Sequence, residues 1–116
     1  MEDHKLIEKT VLDYIEGWYE GNKNRMDNAL DHRLAKRRII SKDEFWSVSK
    51  TDMLKLTEEG NGKIDNPKQG KKEIIILDIF RNLASVKVLS EKYVDYLHLI
   101  KLEEKWKIIN ALWDFI

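Results

Sequence analysis

The feature that most constrains the fold is a change in hydrophobic period near Lys72. Before this residue, apolar side chains recur at the three- and four-residue spacing of amphipathic helices. After it come four runs rich in β-branched and aromatic residues, separated by short turns: "KEIIILDIF", "LASVKVLSEKY", "VDYLHLIKL" and "KWKIINALWDF". Helices followed by adjacent strands are typical of an α+β domain with an antiparallel meander. At 116 residues, we expect a single domain spanning residues 1–116.

Two helices are predicted before residue 31. The first covers residues 3–21 and ends at Gly21, which can adopt a left-handed conformation. Gly17 lies inside this helix at a cost of about 1 kcal/mol relative to alanine, which indicates that another element packs closely against it. Asn22 then opens a short second helix.

A third helix is predicted from Ser41 to about Thr57, because Ser41 and Glu44 match the spacing of a capping box. The preceding segment, residues 31–40, has no clean period, and we interpret it as a short extended piece that crosses between helices. Residues 58–72 hold three of the five glycines and the only proline. They are predicted to form a mobile loop.

The predicted sheet is apolar on both faces. If Arg81 and Asn82 form a two-residue turn, with Asn82 supplying the positive φ, one face of the first hairpin carries Ile75, Leu77, Ile79, Ala84, Val86 and Val88. The other face carries Ile74, Ile76, Phe80, Leu83 and Leu89. Three helices can cover only one face, so we predict that the other face meets a second copy of the chain in a homodimer.

Composition excludes several classes of function. Lysine and arginine number 21, and aspartate and glutamate also number 21, so no overall field favours nucleic acid or an anionic membrane as a partner. The absence of cysteine excludes disulfides, thiolate metal sites and cysteine nucleophiles. No apolar run has membrane-spanning length, and the start "MEDHKLIEK" does not resemble a secretory signal, so we expect a cytoplasmic protein.

Metal and anion sites have little support in the sequence. The three histidines, His4, His32 and His98, show no spacing typical of metal ligands, and no glycine-rich phosphate loop follows a strand. We therefore expect no metal and no cofactor. A basic cluster can in principle bind an anion, but we interpret it as a solvated edge; it consists of Arg33, Lys36, Arg37 and Arg38.

The last two runs carry Asp95, His98 and Asn110 among large apolar residues. Alternation along two strands joined by a two-residue turn places Asp95 and Asn110 on one face and His98 on the other. This parity excludes a Ser-His-Asp arrangement built on Asp95 and His98. Asp95 would have a raised pKa among apolar neighbours and can serve as a base or a ligand anchor. The alternative for Asp95 is a structural hydrogen bond, and His98 is interpreted as an interface residue.

Aromatic residues at helical or strand spacing are candidates either for the core or for a pocket that holds a planar ligand. They are Tyr14, Trp18, Trp46, Trp106 and Trp113.

The order of these elements, with "YIEGWYEG", "RMDNALDHRLAKR" and the closing "ASVKVLSEKYVDYLHLIKLEEKWKIINALWD", resembles the nuclear-transport-factor-2-like superfamily, in particular its putative lumazine-binding branch. The resemblance implies a cone-like curved antiparallel sheet wrapped around three N-terminal helices, with a pocket at the open end and pairing through the sheet. Related proteins include steroid isomerases, polyketide cyclases, dehydratases and pure binding proteins. The family commonly turns with Asp-Gly or Asn-Gly before the final strand, so Glu103 and Glu104 here predict a looser turn.

Three hypotheses about function follow. The leading one is a homodimeric small-molecule-binding domain of unknown ligand, with a pocket that draws on Tyr14, Trp18, His32, Asp95 and Asn110. The first alternative is an isomerase or cyclase in which Asp95 acts as a general base in an apolar cavity and Tyr14 or His32 steadies the oxyanion. The second is a protein-interaction module with a vestigial cavity. No full catalytic set matches, so the sequence leaves enzyme activity undecided.

Overall fold

The computed structural model describes residues 2–116, which form three α-helices and one six-stranded sheet. The elements are α1 (Glu2–Glu20), α2 (Lys23–Ala29), β1 (Leu30–Ser41), β2 (Glu44–Val48), α3 (Lys50–Glu58), a 3-10 turn (Pro67–Gln69), β3 (Lys72–Phe80), β4 (Leu83–Ser90), β5 (Tyr93–Leu102) and β6 (Lys105–Phe115). The strand order is β2-β1-β6-β5-β4-β3, with β1 parallel to β6 and every other pair antiparallel. The sheet is curved and unclosed, which confirms the predicted α+β class.

The predictions for α1 and α2 are confirmed. A Cβ atom at Gly17 would lie 3.1 Å from the backbone nitrogen of Met26, so α2 packs directly on this glycine. Gly21 ends the turn after α1 with a φ of 68°. The side chain of Asn22 accepts a hydrogen bond from the Arg25 backbone N–H and thereby caps α2.

The predicted third helix from Ser41 to Thr57 is wrong in its first half. Ser41 is the last residue of β1, and the capping box is formed eight residues later by Ser49 and Asp52, at the start of α3. Both serines are followed by an acidic residue at the required spacing, so the local pattern alone does not choose between them. Pairing of β1 with β6 and β2 decides the outcome, because it satisfies the backbone groups of residues 30–48 in the sheet.

The β3–β4 hairpin has the predicted two-residue turn but a different face assignment. Arg81 supplies the positive φ of 54°, where the sequence predicts it for Asn82. A bulge at Leu77 shifts the register between Ile76 and Asp78. Ile74, Ile76 and Ile79 therefore share the inner face with Val88, Val86 and Ala84, whereas Ile75 and Leu77 face outward, which corrects the prediction.

The three helices cover the inner face of the sheet, and the outer face remains apolar and exposed. Its large hydrophobic residues are between 37% and 61% exposed: Ile75, Leu77, Phe80, Leu83, Tyr96 and Leu112. Within residues 2–116, no helix has the length and apolarity needed to cross a membrane.

The turn between β5 and β6 is tight, contrary to the looser turn predicted from its sequence. Leu102 pairs directly with Lys105, and the two intervening glutamates, Glu103 and Glu104, have φ values of 50° and 65°. Two consecutive residues with positive φ are the requirement of the hairpin turn that favours Asn-Gly. The glutamates meet this requirement at the conformational cost of a side chain in the left-handed region.

Replacing Glu103 by Asn and Glu104 by Gly should raise the free energy of unfolding by about 1 kcal/mol, because both new residues tolerate positive φ. Urea denaturation of the double variant measures this gain. The matched control is Lys42→Asn with Asp43→Gly at the β1–β2 turn, where neither residue has a positive φ. An equal gain in the control, or none at residues 103 and 104, would contradict the role of backbone strain.

Candidate functional site

One extra residue in β6 decides which side chains of the last hairpin point inward. Leu99 pairs with Ile108, but the preceding His98 pairs with Asn110, so Ile109 is unpaired in a bulge. Beyond the bulge, Asp95 lies opposite Trp113 on the inner face. The prediction that Asp95 and Asn110 share a face is therefore wrong. Asn110 faces outward, where its amide nitrogen lies 3.2 Å from Nδ1 of His98.

The inner face at this end of the sheet lines a cavity of about 90 Å³. At about 30 Å³ for each water, this volume has room for about three water molecules. Aromatic side chains form most of its wall: Tyr14, Trp18, Trp46, Tyr93, Trp113 and Phe115. Its polar lining consists of Lys36, Ser90 and Asp95, and Ile15, Val48, Met53 and Leu56 complete it.

Strand pairing directs the side chain of Lys36 into this cavity. Lys36 pairs with Ala111 of β6, which pairs with Leu97 of β5, and both partners are buried on the inner face. Laterally paired residues point to the same side of a sheet, so Lys36 also points inward. The interpretation of Lys36 as part of a solvated edge is wrong.

Lys36, Tyr14 and Asp95 form a polar group inside the apolar cavity. The Lys36 ammonium donates a hydrogen bond to the Tyr14 hydroxyl over 2.6 Å. That hydroxyl donates a longer bond of 3.5 Å to Oδ1 of Asp95. Tyr14 and Asp95 are both buried, each with only 3% of its surface exposed. The tyrosine hydroxyl therefore connects the amine of Lys36, which is half-buried, with the buried carboxyl of Asp95.

Aromatic ring faces give the Lys36 ammonium additional partners. Its Nζ lies 5.0 Å from the ring centre of Tyr14, 5.5 Å from that of Trp113 and 6.0 Å from that of Trp18. Ring faces attract cations, with an energy of about 1–2 kcal/mol when the pair is desolvated. The site is thus able to hold a positive charge without a direct carboxylate contact.

Burial shifts the pKa of each member of the polar group. Desolvation raises the pKa of the Asp95 carboxyl, although the charge of Lys36 and the Tyr14 hydrogen bond oppose the shift. Desolvation lowers the pKa of the Lys36 amine, opposed by the charge of Asp95. The pKa of Tyr14 is raised well above its usual value, first by burial and then by Asp95, so its hydroxyl keeps its proton.

Trp113, which lines the cavity, carries an indole N–H without a hydrogen-bond partner in the described part of the chain. Its Nε1 atom is buried and has no partner among the residues that the structure describes. Trp46 lies at 5.6 Å from its ring, Tyr93 at 5.2 Å and Phe115 at 5.2 Å, measured between ring centres. A buried donor without an acceptor is rare in folded proteins. A ligand with an acceptor atom would satisfy it.

The structure brings together three of the five predicted site residues. Tyr14, Trp18 and Asp95 all line the cavity, and their role in binding stays a prediction. His32 does not join them, because its side chain is 79% exposed and lies beside Asp31. Asn110 lies on the opposite face, as described above. The general-base hypothesis names Asp95 with Tyr14 or His32. Tyr14 is in contact with Asp95, and His32 is not.

For the other aromatic candidates and for Lys36, the sequence does not decide between core, surface and cavity, and the structure does. Trp46 lines the cavity. Trp113 lines the cavity, whereas Trp106 packs in the core and donates from its indole nitrogen to Asp3. The sequence does not indicate that Lys36 points inward, because residues 31–40 lack a clean alternation. Residues 2–116 contain no cluster of three histidine or acidic side chains suited to a metal ion.

Comparison with known proteins identifies the family of this chain. Residues 2–114 match the family model described as putative lumazine-binding. The chain belongs to this family. No curated protein matches the sequence.

Solved structures with the same fold are similar over nearly the whole chain. A nuclear transport factor 2-like protein of unknown function from Shewanella baltica has a TM-score of 0.83 and 16% identity. The superposition covers 99% of this chain and 94% of that protein. Another such protein, from Methylobacillus flagellatus, has a TM-score of 0.82 and 21% identity, with 100% and 94% covered. A ketosteroid isomerase-like protein from Erwinia carotovora has a TM-score of 0.72 and 12% identity, with 99% and 97% covered. These likenesses confirm the nuclear-transport-factor-2-like fold.

Replacing Lys36 by Met should make stability fall as pH rises. Without the neighbouring cation, the folded-state pKa of Asp95 rises further above its unfolded value of about 4. The folded chain then retains a proton that the unfolded chain has lost, so the free energy of unfolding should drop by about 2 kcal/mol between about pH 4 and pH 7. Urea denaturation across this range measures the drop.

The control for this experiment is the double variant Lys36→Met with Asp95→Asn, which has no carboxyl at the site. Its pH profile should lack the drop. Parallel profiles for the single and double variants would show that Asp95 titrates as an ordinary carboxyl.

Proposed function

We propose that this member of the putative lumazine-binding family binds a small planar molecule in the aromatic cavity. The single observation that carries the proposal is the unpartnered indole N–H of Trp113, buried at a cavity that side chains leave open. The aromatic wall offers ring faces for stacking, and the indole offers one fixed donor. The open cavity supports this hypothesis over that of a protein-interaction module with a vestigial cavity.

The size of the cavity limits the ligand. Pockets for drug-sized molecules have volumes of about 300–1,000 Å³. The cavity here is about 90 Å³, well below that range, so we expect a ligand with no more than a single ring. Two wall residues, Trp46 and Phe115, are 46% and 50% exposed, so they have the most freedom to move for a larger guest such as the two-ring lumazine.

We also propose that two copies pair through the outer face of the sheet. Tyr96 and Leu112 are directly opposed on β5 and β6, and both are about half exposed. Together with the exposed residues of β3 and β4 they form an apolar surface on the side away from the helices. Surfaces of this kind are typical of interfaces between protomers. The cytoplasmic location stays a prediction from the sequence.

Replacing Trp113 by Phe should weaken binding of benzyl alcohol about fivefold, because one hydrogen bond to the ligand is lost while the aromatic wall remains. Isothermal titration calorimetry with benzyl alcohol, and in parallel with lumazine, measures the change. Trp106→Phe is the matched control, because its indole donates to Asp3 outside the cavity. Equal affinity of the Trp113 variant and the parent, or no binding of either probe to the parent, would refute the proposed site.

Replacing Leu112 by Lys should convert the dimer to a monomer, because the new charge would be buried in the apolar interface. Sedimentation velocity at micromolar concentration gives the masses of parent and variant. Ile40→Lys serves as the control, since Ile40 is similarly exposed at the end of β1, near the β1–β2 turn. A monomeric parent chain would exclude the proposed interface.

A further inference from the structure

We infer that Lys36 is a carbonyl-reactive amine and that the cavity captures an aromatic aldehyde or ketone as an imine on its Nζ atom. This inference rests on the proposed function, because the carbonyl compound must enter the same cavity. It goes further by naming the reactive atom and the chemical class of the ligand.

The position of Lys36 is unusual for a lysine with a purely structural role. Lys36 is half-buried, and lysines withdrawn from water are normally paired with a carboxylate. Among the ion pairs of residues 2–116, none includes Lys36, and the Tyr14 hydroxyl lies between its amine and Asp95. The amine therefore lines the cavity without a salt bridge that would hold it as a cation.

The surroundings determine how often this amine is neutral, and only the neutral amine is a nucleophile. The titratable groups that face it are Tyr14 from α1 and Asp95 from β5, with Tyr93 beside Asp95. Arg38, on the same strand, has its guanidinium carbon 5.8 Å from the ring centre of Trp113 and adds positive charge nearby. Desolvation is the largest influence and lowers the pKa of Lys36, whereas Asp95 and the aromatic rings favour the cation.

A lowered pKa gives Lys36 an advantage over surface lysines. At neutral pH a surface lysine is neutral in only about one molecule in 2,500, and each unit of lowered pKa increases that fraction about tenfold. The aromatic wall adds a second advantage, because it holds a planar carbonyl compound close to the amine.

The hydrogen-bonded chain from Lys36 through Tyr14 to Asp95 can move the protons that imine formation requires. The Nζ lone pair attacks the carbonyl carbon, the C=O π bond breaks, and the amine proton passes to the oxygen to give a carbinolamine. The nitrogen lone pair then forms the C=N bond as the C–O bond breaks, and the oxygen leaves as water with a proton that Asp95 donates through the Tyr14 hydroxyl. The remaining proton on the nitrogen returns along the same chain to Asp95, which leaves a neutral imine. Hydrolysis runs the same steps in reverse, so no oxidant or reductant is needed.

Benzaldehyde is a suitable probe, because it is a small aromatic aldehyde with a single ring and the cavity wall is mostly aromatic. The full-length chain is incubated at neutral pH with benzaldehyde and sodium cyanoborohydride, which reduces an imine to a stable benzylamine. Peptide mapping by mass spectrometry gives the labelling rate of each lysine. Lys36 should be labelled about tenfold faster than any other lysine.

Lys107 provides an internal control. Burial also lowers its pKa, but it lies outside the cavity, against the carbonyl of Asn28. Lys36→Arg should abolish the fast labelling, and Lys107→Arg should leave it unchanged. Excess benzyl alcohol, which occupies the cavity but forms no imine, should slow the labelling of Lys36 in the parent chain, a test that requires no variant to fold.

The outcomes separate this inference from the proposed function. If benzyl alcohol binds in the calorimeter but Lys36 is labelled no faster than Lys107, the imine is refuted and the binding site stands. If benzyl alcohol does not bind and all lysines are labelled alike, both are refuted. Fast labelling of Lys36 that benzyl alcohol suppresses supports both.

Discussion

The bulge at Ile109 is the constraint on which the candidate site depends. A strand without the extra residue would turn Asn110 inward and send Ala111 and Trp113 to the outer face. With it, Trp113 reaches the cavity opposite Asp95, and Ala111 leaves room beside Lys36. The same insertion places Asn110 beside His98 on the outer face. One extra residue in β6 thus decides that Trp113 meets Asp95 on the inner face and that Asn110 meets His98 on the outer face.

The group formed by Lys36, Tyr14 and Asp95 is more easily explained by function than by stability. Removing two charges from water costs several kcal/mol for each ion, and apolar residues of similar volume often serve a core as well or better. The Tyr14 hydroxyl and the ring faces offset part of that cost. What the arrangement provides is a lysine and a carboxyl with shifted pKa values at the wall of a cavity, and such groups cluster at functional sites.

The sequence predicts the features of the fold that depend on local patterns. Helical spacing identifies α1, the glycine and asparagine after it define the start of α2, and alternation locates the four C-terminal strands. The cavity residues on these elements, Tyr14, Trp18 and Asp95, follow from the same patterns and the family resemblance. A capping box that matches at two serines cannot locate α3, because the pairing of β1 and β2 with the rest of the sheet decides between them.

Bulges explain the differences in which residues of β3 and β6 face inward. An extra residue inverts the alternation beyond it, and nothing in the local sequence marks Leu77 or Ile109 as unpaired. Alternation alone therefore places Asn110 on the wrong face. The inward orientation of Lys36 does not follow from local alternation either, since it depends on pairing with a strand about 75 residues later in the chain.

The central claim is that the cavity withdraws Lys36 from water next to Tyr14 and Asp95. The most direct measurement is a pH titration of the Lys36 side chain by carbon-13 NMR, with the Cε resonance assigned by its absence in Lys36→Arg. The account predicts that this resonance titrates at a lower pH than those of the surface lysines. Titration together with the surface lysines would contradict it.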